Sequence, residues 1–160
     1  MIELVKANTP AHMEKAREIF LRYARSLDFD LSFQGFAVEL AGLPGDYAPP
    51  AGCLLLAMED GETMGCVALR KIGEGICEMK RLFIGPEQRG KGIGLLLAEA
   101  VIQEAKRLGY DQMRLDTVPS MTSAISLYRS LGFREISSYC HNPGPGAKFF
   151  ELQLKPGNSP

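Results

Sequence analysis

The chain has 160 residues, 46% of them hydrophobic and 23% charged, enough to bury the core of one domain and too few for two. Lys and Arg number 18 against 19 Asp and Glu, so a formal charge of -1 leaves no basic field to hold nucleic acid. The four cysteines, Cys53, Cys66, Cys77 and Cys140, form no C-x-x-C pair, which fits buried free thiols better than disulfides or a metal clip. MIELVKANTP at the N-terminus is too polar for a signal peptide or membrane span, so a cytoplasmic location with no membrane partner is expected.

Ile2 to Lys6 reads as a strand. Thr9 and Pro10 open a helix, since a hydroxyl caps its first amides and a proline ring needs no amide partner. Met13, Ala16, Phe20, Tyr23 and Leu27 recur at helical spacing, which predicts an end near Leu27. A short helical piece over Phe33 to Ala41 stops at Gly42. LPGDYAPPAG then makes a long loop with exposed aromatics, of the kind that often carries function.

Cys53 to Glu59, Thr63 to Arg70 and Ile76 to Ile84 read as three neighbouring antiparallel strands, turned at Asp60-Gly61 and at Gly73-Glu74-Gly75. A helix follows from about Gly92 to Leu108, with Lys106 and Arg107 in its last turn and Gly109 beyond. Met113 to Thr117 is a strand, and Pro119 and Ser120 open a helix ending at Gly132. Phe133 to Tyr139 and Ala147 to Leu154 complete the strands. One domain over residues 1–155 is expected, with 156–160 as a flexible tail.

Between the third of these strands and the long helix lies GPEQRGKGIG, Gly85 to Gly94. It begins like the phosphate loop G-x-x-x-x-G-K-[ST], but Gly92 replaces the hydroxyl that would ligate magnesium, and the strand arrives from a hairpin. A dinucleotide fingerprint G-x-G-x-x-G fails as well, because Leu95 holds the third glycine position. Both motifs share one physical device, which survives here. Gly90, Gly92 and Gly94 lead straight into a helix and aim unpaired amides at one point, with Arg89 and Lys91 adding charge. Such a turn can also serve geometry alone.

CEMKRLFIGPEQRGKGIGLLLAEAVIQEAKRLGY, followed by AISLYRSLGF, resembles the GNAT superfamily of N-acetyltransferases. The family's [QR]-x-x-G-x-[GA] pattern is filled by Arg89, Gly92 and Gly94. LYRSLGF, Leu127 to Phe133, resembles the helix and turn whose tyrosine lies near the coenzyme sulfur, and the order of elements agrees over nearly the whole chain. The resemblance implies an α/β (α+β) fold. Its mainly antiparallel sheet of about six to seven strands is flanked by helices and has a splayed strand pair at the coenzyme site. It implies an acyltransferase that uses acetyl-CoA without a metal, acts on a small-molecule amine, and pairs in many members as a homodimer. Arg89, Gly90, Lys91, Gly92, Ile93, Gly94 and Leu95 would hold the pyrophosphate. The backbone of Leu82, Phe83 and Ile84 would receive the pantetheine arm and the thioester oxygen. Met121 stands where many members carry an asparagine, which puts that amide's role in question here.

Acetyl transfer needs a neutral amine, although free alkyl amines titrate near ~10.4, and a proton for the departing thiolate. Tyr128 is the candidate acid, while Ala124, Leu127, Tyr128 and Leu131 share one helical face, so a buried core tyrosine is the competing assignment. Glu78, a carboxylate in an apolar strand, is the candidate base or else the partner of Lys80 or Arg81. Arg81 in turn could hold a substrate carboxylate. Phe33, Phe36, Tyr47 and His141 are candidates to shape the acceptor pocket. His12 is expected to face solvent, and two histidines without a paired nucleophile give little support to a hydrolase triad or zinc site. The period-two pattern falters at Lys80 and Arg81, which is compatible with a β-bulge without establishing one.

Overall fold

The computed structural model describes residues 1–27, 35–118, 122–144 and 146–155. In chain order its elements are β1 (Glu3–Lys6), α1 (Pro10–Ser26), α2 (Phe36–Ala41), β2 (Cys53–Glu59), β3 (Glu62–Gly73) and β4 (Ile76–Ile84). Then come α3 (Ile93–Arg107), β5 (Gln112–Thr117), α4 (Thr122–Ser130), β6 (Arg134–Ile136) and β7 (Lys148–Gln153). Single 3-10 turns lie at Gly45–Tyr47 and Pro86–Gln88.

The helix boundaries follow local chemistry. Thr9 caps α1 by accepting the His12 amide at 3.1 Å, which satisfies one orphan donor of the first turn. Met13, Ala16, Ile19 and Phe20 form the buried face of α1. His12 itself is half-buried, its Nδ1 accepting the Asn8 amide at 3.3 Å. α2 begins after Gly35, at φ 68, and closes at Gly42. The expected start of this helix at Phe33, and the expected opening of α4 at Pro119, Ser120 and Met121, lie outside the described residues.

The strands make one seven-stranded sheet ordered β1-β2-β3-β4-β5-β7-β6. Every pair is antiparallel except β4 with β5. This is the mixed, mainly antiparallel sheet that the family resemblance implies. Side chains alternate across β2, with Leu55 and Ala57 in the core under α3 and Leu54 and Leu56 in the core under α1. Cys53, Cys66 and Cys77 are buried free thiols, and Cys140 is half-buried. No helix among the described residues is long and apolar enough to cross a membrane.

Two irregularities in the centre of the sheet create the site. Pairing of β4 with β5 covers only Ile76↔Gln112, Cys77↔Met113 and Glu78↔Arg114, after which β4 runs on to Ile84 and β5 to Thr117 unpaired with each other. Opposite β3, the register steps from Ala68↔Lys80 to Cys66↔Phe83, so two residues of β4 face the single Val67. Arg81 sits in this bulge at φ 60, a left-handed conformation unusual for a residue with a Cβ. The bulge shifts the alternation by one residue. Cys77 and Met79 lie in the core under α3, and beyond the bulge Leu82 and Ile84 pack against that same core while Phe83 joins the other.

Candidate active site

A cavity of about 590 Å³ opens where β4 and β5 part. Leu82, Phe83 and Ile84 of β4 line it, and so do Gln88, Arg89, Gly90, Gly92, Ile93 and Gly94 at the start of α3. Tyr23, Ser26 and Leu27 at the end of α1, and Ser123, Ala124 and Leu127 of α4, complete its walls. Eight of the ten residues expected to hold the coenzyme therefore meet in one space: Leu82, Phe83, Ile84, Arg89, Gly90, Gly92, Ile93 and Gly94. Lys91 and Leu95 are not among the described lining residues. Lys91 reaches Gln88 Oε1 at 2.8 Å, and Leu95 is exposed on the outer side of the first helical turn.

The glycine loop leaves open space in front of a helix start. Gly90 and Gly92 have φ of 85 and 78, and a Cβ placed on either would project into open space. Gly92 caps α3, whose first amides have no partner inside the helix and point out at the positive end of its dipole. A pyrophosphate fits this donor set. Gly94 is less open, since its Cβ would stand in ordinary contact, 3.7 Å from both Ile84 and Leu127.

On the other face of the sheet a row of alternating charges crosses five strands. Arg70, Glu78, Arg114, Glu151 and Arg134 are successive register partners from β3 to β6. Glu78 is fully buried, and its Oε1 accepts from Arg70 at 2.8 Å while its Oε2 accepts the Tyr139 hydroxyl at 2.7 Å. Burial opposes the Arg70 charge, yet Glu78 beside it holds that pKa above its ordinary value. Burial and the adjacent Glu78 carboxylate drive the Tyr139 phenol well upward. One step along, where the two strands have parted, Lys80 Nζ lies 3.6 Å from Asp116 Oδ1 and 3.9 Å from Glu78 Oε1. Asn142 donates to Asp116 Oδ2 at 2.9 Å.

Of the two partners expected for Glu78, Lys80 comes within 3.9 Å of it and Arg81 does not. Arg81 instead forms a two-pronged pair with Glu39 of α2, at 2.9 and 2.8 Å, with its guanidinium stacked near Tyr23 and Phe36. Phe36 therefore packs on a cation in a closed contact. Tyr47 is only 2% exposed, against the expectation of an exposed loop aromatic, and its hydroxyl has no hydrogen-bond partner among the described residues. It is drawn in by the edge of Phe20, 6.3 Å away between ring centres. His141 is exposed on the β6–β7 loop, and Phe33 lies outside the described residues.

Tyr128 is 7% exposed, packed against Phe133 and Phe150, and is not among the described residues lining the cavity, although its neighbour Leu127 is. Burial raises its pKa, with smaller contributions from Tyr23 and Asp116 nearby, so it keeps its proton far above neutrality. Tyr23, on the cavity wall, is likewise pushed up to about 12 by burial.

Sequence reasoning named Lys80 beside Glu78 but missed Glu39, Arg70, Asp116, Tyr139 and Asn142. One of them was legible. Counting outward from the turn centred on Glu74 places Arg70 opposite Glu78, as the register confirms. The others meet through the parting of β4 and β5 and through loop contacts, which leave no local pattern.

A sheet opened in its middle, beside a helix start lined with bare amides, fits the extended arm and phosphates of an acyl carrier. Residues 13–133 match the Acetyltransferase (GNAT) family. The chain is 37% identical over 155 residues to an uncharacterised N-acetyltransferase of Schizosaccharomyces pombe, covering 96% of this chain and 95% of that one. It is 35% identical over 130 residues to the N-acetylaspartate synthetase of Rattus norvegicus, covering 79% and 44%. A GNAT acetyltransferase from Staphylococcus aureus shares the fold with a TM-score of 0.81 at 23% identity, over 97% of this chain and 100% of that one. The chain belongs to the GNAT family of N-acetyltransferases, and it is an acyltransferase.

Proposed function

We propose that the protein transfers the acetyl group of acetyl-CoA to a primary amine of a small molecule, by direct attack while both substrates are bound. The cavity carries this conclusion: it runs from the glycine loop, where amides can hold pyrophosphate, to the unpaired edge of β4. A protein of Salmonella typhimurium described as an acetyltransferase, alike at a TM-score of 0.71, 22% identity and 99% and 97% coverage, was solved with its cofactor acetyl-CoA. N-Acetylaspartate synthetase takes its name from a small amino-acid product, which favours a small acceptor for this chain too.

The chain's residues divide the work. Gly90, Gly92 and the first turn of α3 bind phosphate oxygens, with the Arg89 charge beside them. Leu82, Phe83 and Ile84 offer backbone groups to an extended arm as a neighbouring strand would, and an amide there polarises the thioester carbonyl. The amine nitrogen bonds to the carbonyl carbon as the carbon–sulfur bond breaks. Glu78 takes the proton that the amine gives up, directly or through water, and Tyr128 donates one to the departing sulfur. A thiol of this kind has a pKa near ~8.5, so hydrogen bonding from a protonated phenol stabilises the charge developing on it.

The test is a thiol-release assay with acetyl-CoA across amino acids, polyamines and other small amines, run beside calorimetry with coenzyme A. At least one small amine should turn over. Binding without turnover of any amine would instead mark a module that senses acyl-coenzyme A, and acetylation restricted to peptides would move the acceptor to a protein.

A further inference from the structure

Arg81 combines three features. It is a non-glycine residue at φ 60, it occupies the bulge that interrupts the pairing of β4 with β3, and its buried guanidinium is held by both oxygens of Glu39. The side chains of this pair are 2% and 16% exposed. Tyr23 and Phe36 flank the guanidinium at 6.0 and 5.3 Å from its carbon. Burial works against the Arg81 charge, but the Glu39 carboxylate outweighs it and raises the pKa.

An L-residue enters the left-handed region only when its surroundings compensate. Here the compensation comes from outside the sheet, through a carboxylate on α2. The bulge in turn rotates β4 by one residue, which is why Leu82 and Ile84 face the core under α3 and line the cavity. We infer that Glu39 is a positioning residue: its pair with Arg81 clamps the bulge and so holds the Leu82–Ile84 edge in the shape that receives the acyl carrier. The clamp ties the coenzyme-binding edge to the segment between α1 and β2, the expected acceptor side. It rests on the function proposed above.

Two substitutions at one position separate conformation from charge. Arg81→Ala and Arg81→Gly both delete the ion pair, but glycine populates φ near 60 without strain and alanine does not. Calorimetry with coenzyme A should therefore show Arg81→Ala about tenfold weaker than wild type, with Arg81→Gly recovering most of that loss. Glu39→Gln, which keeps the shape but not the charge, should raise the KM for acetyl-CoA more than it lowers kcat. Melting temperatures should fall for both variants, which lose the same contact, and further for Arg81→Ala, which keeps the strained backbone as well. Equal coenzyme affinity in those two variants, with the wild type binding normally, would overturn the clamp alone. A wild type that does not bind coenzyme A would overturn the proposed function and the clamp with it.

Discussion

Glu78 faces two chemistries at once, a proton acceptor's and an ion-pair partner's, and its neighbours allow them to be separated. Its carboxylate is buried between Arg70, Tyr139 and Lys80. Glu78→Gln keeps the size and one acceptor for the Tyr139 hydroxyl while removing the basic oxygen. If Glu78 is the base, kcat should fall by about 10²–10⁴ with a small change in melting temperature. A large loss of thermal stability with kcat preserved would leave it only the ion pair. Tyr128→Phe should lower kcat at least tenfold and leave coenzyme affinity largely intact, a split that steady-state kinetics and calorimetry read together. Because burial raises the Tyr128 pKa, its proton stays in place past pH ~10, and the pH–rate profile should show no alkaline fall from this group below that point. The core assignment of Tyr128 was legible from helical spacing and stands in its contacts with Phe133 and Phe150. A role near the coenzyme sulfur came only from resemblance, since spacing on one helix cannot say what a second strand's departure leaves open.

At the scale of elements, the glycine loop and the bulge make the most distinct demands on sequence. Gly92→Val forces a branched side chain to φ 78 and into the space before the α3 amides. Coenzyme A affinity should drop by at least tenfold while circular dichroism retains the folded signal. Gly94→Ala meets only ordinary contacts, so its effect on affinity should be several-fold smaller. At the start of α1, Thr9→Ala removes the cap and should cost about 1 kcal/mol in urea unfolding, with no change in KM. The sequence was compatible with the bulge, because Lys80 and Arg81 break the alternation of β4, but the register with β3 is what establishes it. The identity of its clamp could not be read in advance, since Glu39 lies 42 positions from Arg81 and only the docking of α2 joins them. Tyr47 misled for a similar reason: a proline-rich loop reads as exposed, while the Phe20 edge draws its ring into the core.

The whole molecule carries its thiols protonated. Burial lifts Cys53 to about 11 and Cys77 to about 12, and it lifts Cys66 further still. In the unfolded chain these groups lose their protons near ~8.5, so above that pH the unfolded state binds fewer protons than the folded one, and stability falls as pH rises. Urea midpoints should hold steady up to pH ~8 and decline by pH ~10.5, where a flat profile would contradict the burial of these cysteines. The parted strands have a different consequence, for association between molecules. A sheet normally exposes its unpaired backbone at its two outer strands, where another protein's strand can add to it. This one also carries such an edge within its own width, along Leu82 to Ile84, hemmed in by the end of α1 and by α4. That makes the gap a filter by thickness: a slender, extended ligand can reach those backbone groups, and a second sheet cannot.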